Sequence, residues 1–169
     1  MSTKWIGAVL VILSCSIFGM IMSGSIRFEV NCFRELISIL NYMQSELEFR
    51  LTPLPDLCRL CASQGKILRN LFETFAEELE NQISPEPEIC MEAALCKCNI
   101  KTKSIETYLL ELSSSFGKFD LCGQLLGICS VRQQCTSMLC KLESGEESRI
   151  RNYRTISFCI GILTTILLL

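Results

Sequence analysis

The chain closes on Tyr153-Arg154-Thr155-Ile156-Ser157-Phe158-Cys159-Ile160-Gly161-Ile162-Leu163-Thr164-Thr165-Ile166-Leu167-Leu168-Leu169, with no charged residue after Arg154. Such a run is stable in hydrocarbon and predicts a membrane segment. From Thr155 it offers roughly 15 residues against the roughly 20 that a helix needs to cross about 30 Å of bilayer, so Tyr153 and a snorkelling Arg154 must extend it. A second uncharged run, Trp5 to Ile26, stands at the other end, with Trp5 at its interfacial edge. Basic residues flanking a span tend to stay on the cytoplasmic side. Here Arg149, Arg151 and Arg154 precede the last run, and Arg27 and Arg34 outweigh Lys4 at the first. The expected organisation is an N-terminal transmembrane helix over 1–26, a cytoplasmic helical domain over 27–152 and a C-terminal transmembrane helix over 153–169.

Charge and composition narrow what that domain can do. Charged residues make up 20% and the formal net charge is -2, so no basic excess is available for nucleic acid. The chain has no His, which removes the commonest general base and the commonest metal ligand. Twelve Cys residues admit two readings. They can be small hydrophobes in the core of a helical domain inside a reducing cell. Alternatively the chain is a secreted, disulfide-stapled helical protein, with a signal peptide ending near Met22-Ser23-Gly24-Ser25 and a processed apolar tail. With nine Gly and four Pro, and with the Cys residues inside helical patterns, the first reading is preferred.

Apolar spacing then predicts helices throughout. Ile26, Val30, Phe33, Ile37, Leu40, Met43, Leu47 and Leu51 recur every three or four positions, a stripe that continues out of the first span. Pro53 stops it, and Thr52 is placed to cap a new helix with Pro53 at its first position. That helix, about Leu54 to Ser63, should close on Gly65 as a left-handed cap. Lys66 to Asn81 follows, with Leu68, Leu71, Phe72, Phe75 and Leu79 on one face and Arg69, Glu73, Glu77, Glu78 and Glu80 on the other. A helix from about Glu88 to Asn99 buries Cys90, Ala93, Ala94 and Cys98; one from Lys103 to Phe116 buries Ile105, Tyr108, Leu109, Leu112 and Phe116 and stops at Gly117. Asp120 caps the last helix, whose stripe is Leu121, Leu125, Ile128, Val131, Cys135, Leu139 and Leu142, with Gly145 as its weakest point. The fold class is all-α, an antiparallel helical bundle between two terminal transmembrane helices.

No set of residues points to chemistry. Cys58 and Cys61 make a single CxxC, and Cys96 with Cys98 face apart on a helix; a zinc site needs four convergent ligands. Neither a phosphate-binding Gly-rich loop nor a Ser/His/Asp set occurs, so the reading is a non-enzyme without metal, cofactor or small-molecule substrate. The acidic face of Glu73, Glu77, Glu78 and Glu80 is a candidate docking surface for a basic partner, weighed against an ordinary solvated face.

Several residues together resemble a known family. The opening Lys4-Trp5-Ile6-Gly7-Ala8, the acidic Glu46 followed by Thr52-Pro53-Leu54, and Phe116-Gly117 followed by Asp120 and Gln124 resemble the stage III sporulation protein AB family over nearly the whole chain. The link from Gly117 to Asp120 is shorter than that family's usual one. The soluble region of the family is similar to the cytoplasmic helical domain of the type II secretion system F protein. The resemblance implies a scaffold subunit of the channel complex between mother cell and forespore, in the mother-cell membrane facing the forespore. Its implied partners are the membrane, the other stage III channel proteins including the secretion ATPase, and further copies of itself. Thr52, Pro53, Gly117 and Asp120 each have a helix-capping reading. Glu46 and Gln124 have none, and stand as candidates for a buried polar contact or a partner surface.

Overall fold

The computed structural model describes the backbone of residues 2–50, 52–81, 86–98, 102–116 and 120–168; the side chains of 1–23, 145–154, 157–158 and 160–169 lie outside the described part. Within it there are six helices and no strand: α1 (Ser2–Arg50), α2 (Leu54–Gln64), α3 (Arg69–Asn81), α4 (Pro87–Cys98), α5 (Lys103–Ser115) and α6 (Leu121–Leu168). The chain divides into two compact units, one gathering Met1–Val30 with Cys140–Leu169 and the other comprising Asn31–Leu139.

The first unit holds the helical ends of α1 and α6. Val30 and Leu142 are buried there, whereas Phe28 and Ile156 are about half exposed. No helix among the described residues is long and apolar enough to cross a membrane. The expected spans are therefore not supported by the described part: the run beginning at Trp5 and most of the run ending at Leu169 fall on side chains outside it.

The second unit is the helical bundle. α2 packs on α3, α3 on α4 and α4 on α5. Short links force successive helices to reverse, and cross-contacts show the reversal: Cys98 at the end of α4 meets Asn70 and Thr74 in the first turns of α3. Phe33, Phe72, Phe75 and Phe116 are completely buried, each contributing roughly 1.5–3 kcal/mol of transfer free energy. α1 buries more than its expected stripe, adding Cys32, Leu36 and Ile39. The reason is its number of neighbours. Phe33 meets Tyr108 of α5 edge to face at 5.6 Å, Asn41 accepts a hydrogen bond from Arg132 of α6 at 2.7 Å, and Glu35 reaches the turn between α2 and α3.

Two glycines are set by close approach. A Cβ on Gly127 of α6 would lie 2.5 Å from Cβ of Ser115, so only glycine lets α6 pass the end of α5. Gly65 was expected to be left-handed, but its φ of -88 and ψ of 155 are extended. Its requirement is spatial instead, because a Cβ there would stand 2.8 Å from Oε1 of Glu35. That carboxylate oxygen accepts the backbone N–H groups of Lys66, Ile67 and Leu68 at 2.9, 2.8 and 2.7 Å. It thus caps the approach to α3, which begins at Arg69 rather than Lys66.

Five of the described cysteines behave as core. Cys32, Cys58, Cys61, Cys90 and Cys135 are buried thiols outside any disulfide, whereas Cys96, Cys122, Cys140 and Cys159 are exposed. Burial raises the Cys58 thiol well above its ordinary value, with Cys61 beside it adding to the effect. Burial, reinforced by Glu46, pushes Cys61 up to about 12. Such thiols stay protonated and pack as hydrophobes, which is the opposite of what a nucleophile or metal ligand needs.

Candidate functional site

Six helix termini of the bundle alternate at one pole: α1 ends there, α2 begins, α3 ends, α4 begins, α5 ends and α6 begins. Between them lies a groove of about 280 Å³ lined by Leu47, Thr52, Leu54, Pro55, Leu79, Pro87, Phe116 and Gln124. Every one of the six helices supplies a residue or a neighbouring junction. Four of these residues, Thr52, Leu54, Phe116 and Gln124, come from motifs far apart in the sequence and meet around one space.

Glu46 anchors this pole from one turn inside α1. It is 8% exposed. Its Oε2 accepts from the Thr52 hydroxyl at 3.4 Å, and its Oε1 lies 3.5 Å from the Arg50 guanidinium. The Tyr42 hydroxyl also donates to Glu46, and its pKa is raised by burial first and by the carboxylate second. Thr52 was expected to cap α2. That position belongs to Pro53, whose carbonyl accepts from Leu57 N–H at 2.9 Å, and no side chain caps the helix. Thr52 instead spends its hydroxyl on Glu46, which ties the end of α1 to the junction before α2. Pro55, in the first turn of α2, needs no N–H partner there.

Asp120 caps α6 as expected, its Oδ1 accepting from Gly123 N–H at 3.0 Å and its carbonyl from Gln124 N–H at 2.9 Å. The cap orients the first turn so that Gln124 reaches the groove wall. Phe116 closes α5, its own N–H bonded to the Ser113 carbonyl at 3.1 Å. Ser113 and Ser115 are buried but satisfied, donating back to the carbonyls of Leu110 and Leu112. Gly117 lies outside the described residues.

The acidic face of α3 does not form one surface with the groove motifs. Glu73 pairs with Arg69 at 2.9 Å, Glu80 with Arg59 of α2 at 2.6 Å, and Glu78 with Lys97 of α4. The pairs of Glu80 and Glu78 fasten α3 to α2 and α4, the Arg69–Glu73 pair lies within α3, and Glu77 also acts on Lys97. Solvent screening keeps such pairs weak.

Sequence reasoning missed Glu35, Tyr42, Leu79, Pro87 and Gly127. A signal existed for Glu35. Gln64-Gly65-Lys66-Ile67-Leu68 offers no Ser, Thr, Asp or Asn to cap α3, so the donors there had to be satisfied from elsewhere in the fold.

The described residues thus form an all-helical bundle with an apolar groove where its helix ends meet. The family model described as stage III sporulation protein AB matches residues 4–169, and the chain belongs to that family. A solved structure titled stage III sporulation protein AB (SpoIIIAB) shares the fold at a TM-score of 0.61 and 20% identity, covering 69% of this chain and 94% of that one. No curated protein sequence matches the chain.

Proposed function

We propose that this protein is a non-catalytic platform subunit of the sporulation channel complex between mother cell and forespore. Its terminal segments, 1–26 and 153–169, tether it to the mother-cell membrane facing the forespore, and the bundle within 27–152 works on the cytoplasmic side as a type II secretion F-like domain. The grooved pole receives another component, in the first instance the secretion ATPase, and self-association would place several such poles side by side. The observation that carries this reading is the convergence of Thr52, Leu54, Phe116 and Gln124 on one groove, with Glu46 holding Thr52 in place. None of these side chains is positioned as a nucleophile or a general acid and base pair. A groove of carbon walls with a few polar atoms is suited to an anchoring side chain of a protein partner.

Filling the groove tests it. Leu54→Trp occupies the space from a half-buried position and leaves the cap of α2 alone. Heat-resistant spore counts should fall while membrane level and thermal melting of the variant stay normal; normal counts would remove the groove from the mechanism. Topology is tested separately by labelling exposed Cys96 and Cys122 with an impermeant maleimide. The account expects protection in intact cells and labelling after lysis. Labelling in intact cells, or thiols appearing only after reduction, would favour the secreted alternative.

A further inference from the structure

Resting on the groove reading above, the charge distribution of the pole points to the chemistry of the occupant: we infer that it is a cationic segment with apolar anchor residues, contributed by a separate protein. The groove itself is uncharged, its walls formed by Leu47, Leu54, Pro55, Leu79, Pro87 and Phe116 with Thr52 and Gln124. Its surroundings are not. Glu48 follows Leu47, Asp56 follows Pro55, Glu86 precedes Pro87, and Asp120 lies one turn before Gln124. All four are exposed.

The basic residues described at this pole are already committed. Arg50 is held by Glu46 and Arg59 by Glu80. Among the described residues the exposed carboxylates next to the groove residues in sequence leave an excess of negative charge near a low-dielectric depression, which attracts incoming cations and repels an acidic segment. Leu121, 39% exposed one turn before Gln124, extends the apolar surface beyond the groove. At about 280 Å³ the space holds a few side chains of a macromolecule. The apolar walls supply affinity once water is expelled, and the rim selects the sign of the partner and speeds its arrival.

The full chain, reconstituted in zwitterionic phosphatidylcholine nanodiscs, is titrated by fluorescence anisotropy with two labelled amphipathic helical peptides, one of Leu and Lys and the other of Leu and Glu. The Leu/Lys peptide should bind, more weakly as salt rises, and the Leu/Glu peptide should not. Asp56→Lys with Glu86→Lys should weaken the cationic peptide about tenfold and admit the anionic one. Asp56→Asn with Glu86→Gln should fall between, and melting curves confirm that each variant is folded. Equal binding of both peptides, binding indifferent to the rim changes, or no binding of the cationic peptide would overturn the inference. The groove reading is judged apart from it. If Leu54→Trp lowers spore counts while the rim changes do nothing, the groove stands and the cationic partner falls. If Leu54→Trp is silent in cells, the groove itself has failed.

Discussion

Glu35 and Glu46 lie on the same helix about 16 Å apart, and each carboxylate serves a different pole of the bundle. Glu35 has one oxygen filled by three backbone N–H groups at 2.7 to 2.9 Å. Glu46 is the more buried of the two, yet its contacts with Thr52 and Arg50 are long, at 3.4 and 3.5 Å. One oxygen of the first carboxylate is filled by the fold it stabilises. The second accepts from the Tyr42 and Thr52 hydroxyls and holds a junction at the edge of a groove. A carboxylate whose bonds all serve backbone donors reads as structural, and one with loose contacts beside an unfilled apolar space reads as part of a working surface. On the proposed function, one pole chiefly stabilises the bundle and the other carries the working groove.

The largest effect on stability should come from Glu35. Glu35→Ala strands three donors before α3 and should cost about 2–3 kcal/mol in urea unfolding of the full chain in detergent. A loss below about 0.5 kcal/mol would show that water replaces the cap and would blur the contrast between the poles. Next is Gly127→Ala. In an open helix it would gain up to about 1 kcal/mol, but the new Cβ would stand 2.5 Å from Ser115, so a net loss of about 1–2 kcal/mol is expected. Gain rather than loss would mean that α6 is free to move away from α5.

The pH profile adds a smaller effect, located near Glu46. Cys61 is pushed up to about 12 in the fold from an ordinary 9.0, and Cys58 is raised in the same direction. Below 9 the thiols are protonated in both folded and unfolded chains and stability does not change with their titration. Above it the unfolded chain releases protons that the folded chain retains, so stability falls as pH rises from about 9 towards 12. Unfolding free energies at pH 8 and 10 should differ by more than about 1 kcal/mol, and the Cys58→Ala, Cys61→Ala double variant should shrink the difference without removing it, because Cys135 is also pushed up to about 12. Smallest of all is Glu46→Gln, which keeps the shape and one acceptor oxygen and should change stability by less than about 1 kcal/mol.

Much of this architecture is readable along the chain because local patterns and tertiary packing agree. The stripes of α3, α5 and α6 and the break at Pro53 are statements about one helix at a time, and such statements follow from spacing and from proline's missing donor. The cap at Asp120 is local too. What spacing cannot convey is a partner distant in sequence. Glu35 reads as an exposed acid on α1 until the turn at Gly65 is folded against it, and Gly127 reads as a weak spot until Ser115 is beside it. Thr52 was legible as a capping type of residue in a capping place, but Glu46, one turn back within the preceding helix, competes for the same hydroxyl. The groove had a partial signature: its motif residues were recognisable singly, while Leu79 and Pro87 were indistinguishable from any helix end.

The most direct measurement is the heat-resistant spore count of a strain carrying Glu46→Gln at the native locus, taken alongside the variant's membrane level and melting temperature. The account predicts that melting and abundance stay near normal while spore counts drop, because the junction holding Thr52 at the groove is loosened without the bundle being weakened. Normal spore counts at normal abundance would contradict it, and the division between a structural and a working pole would have to be given up.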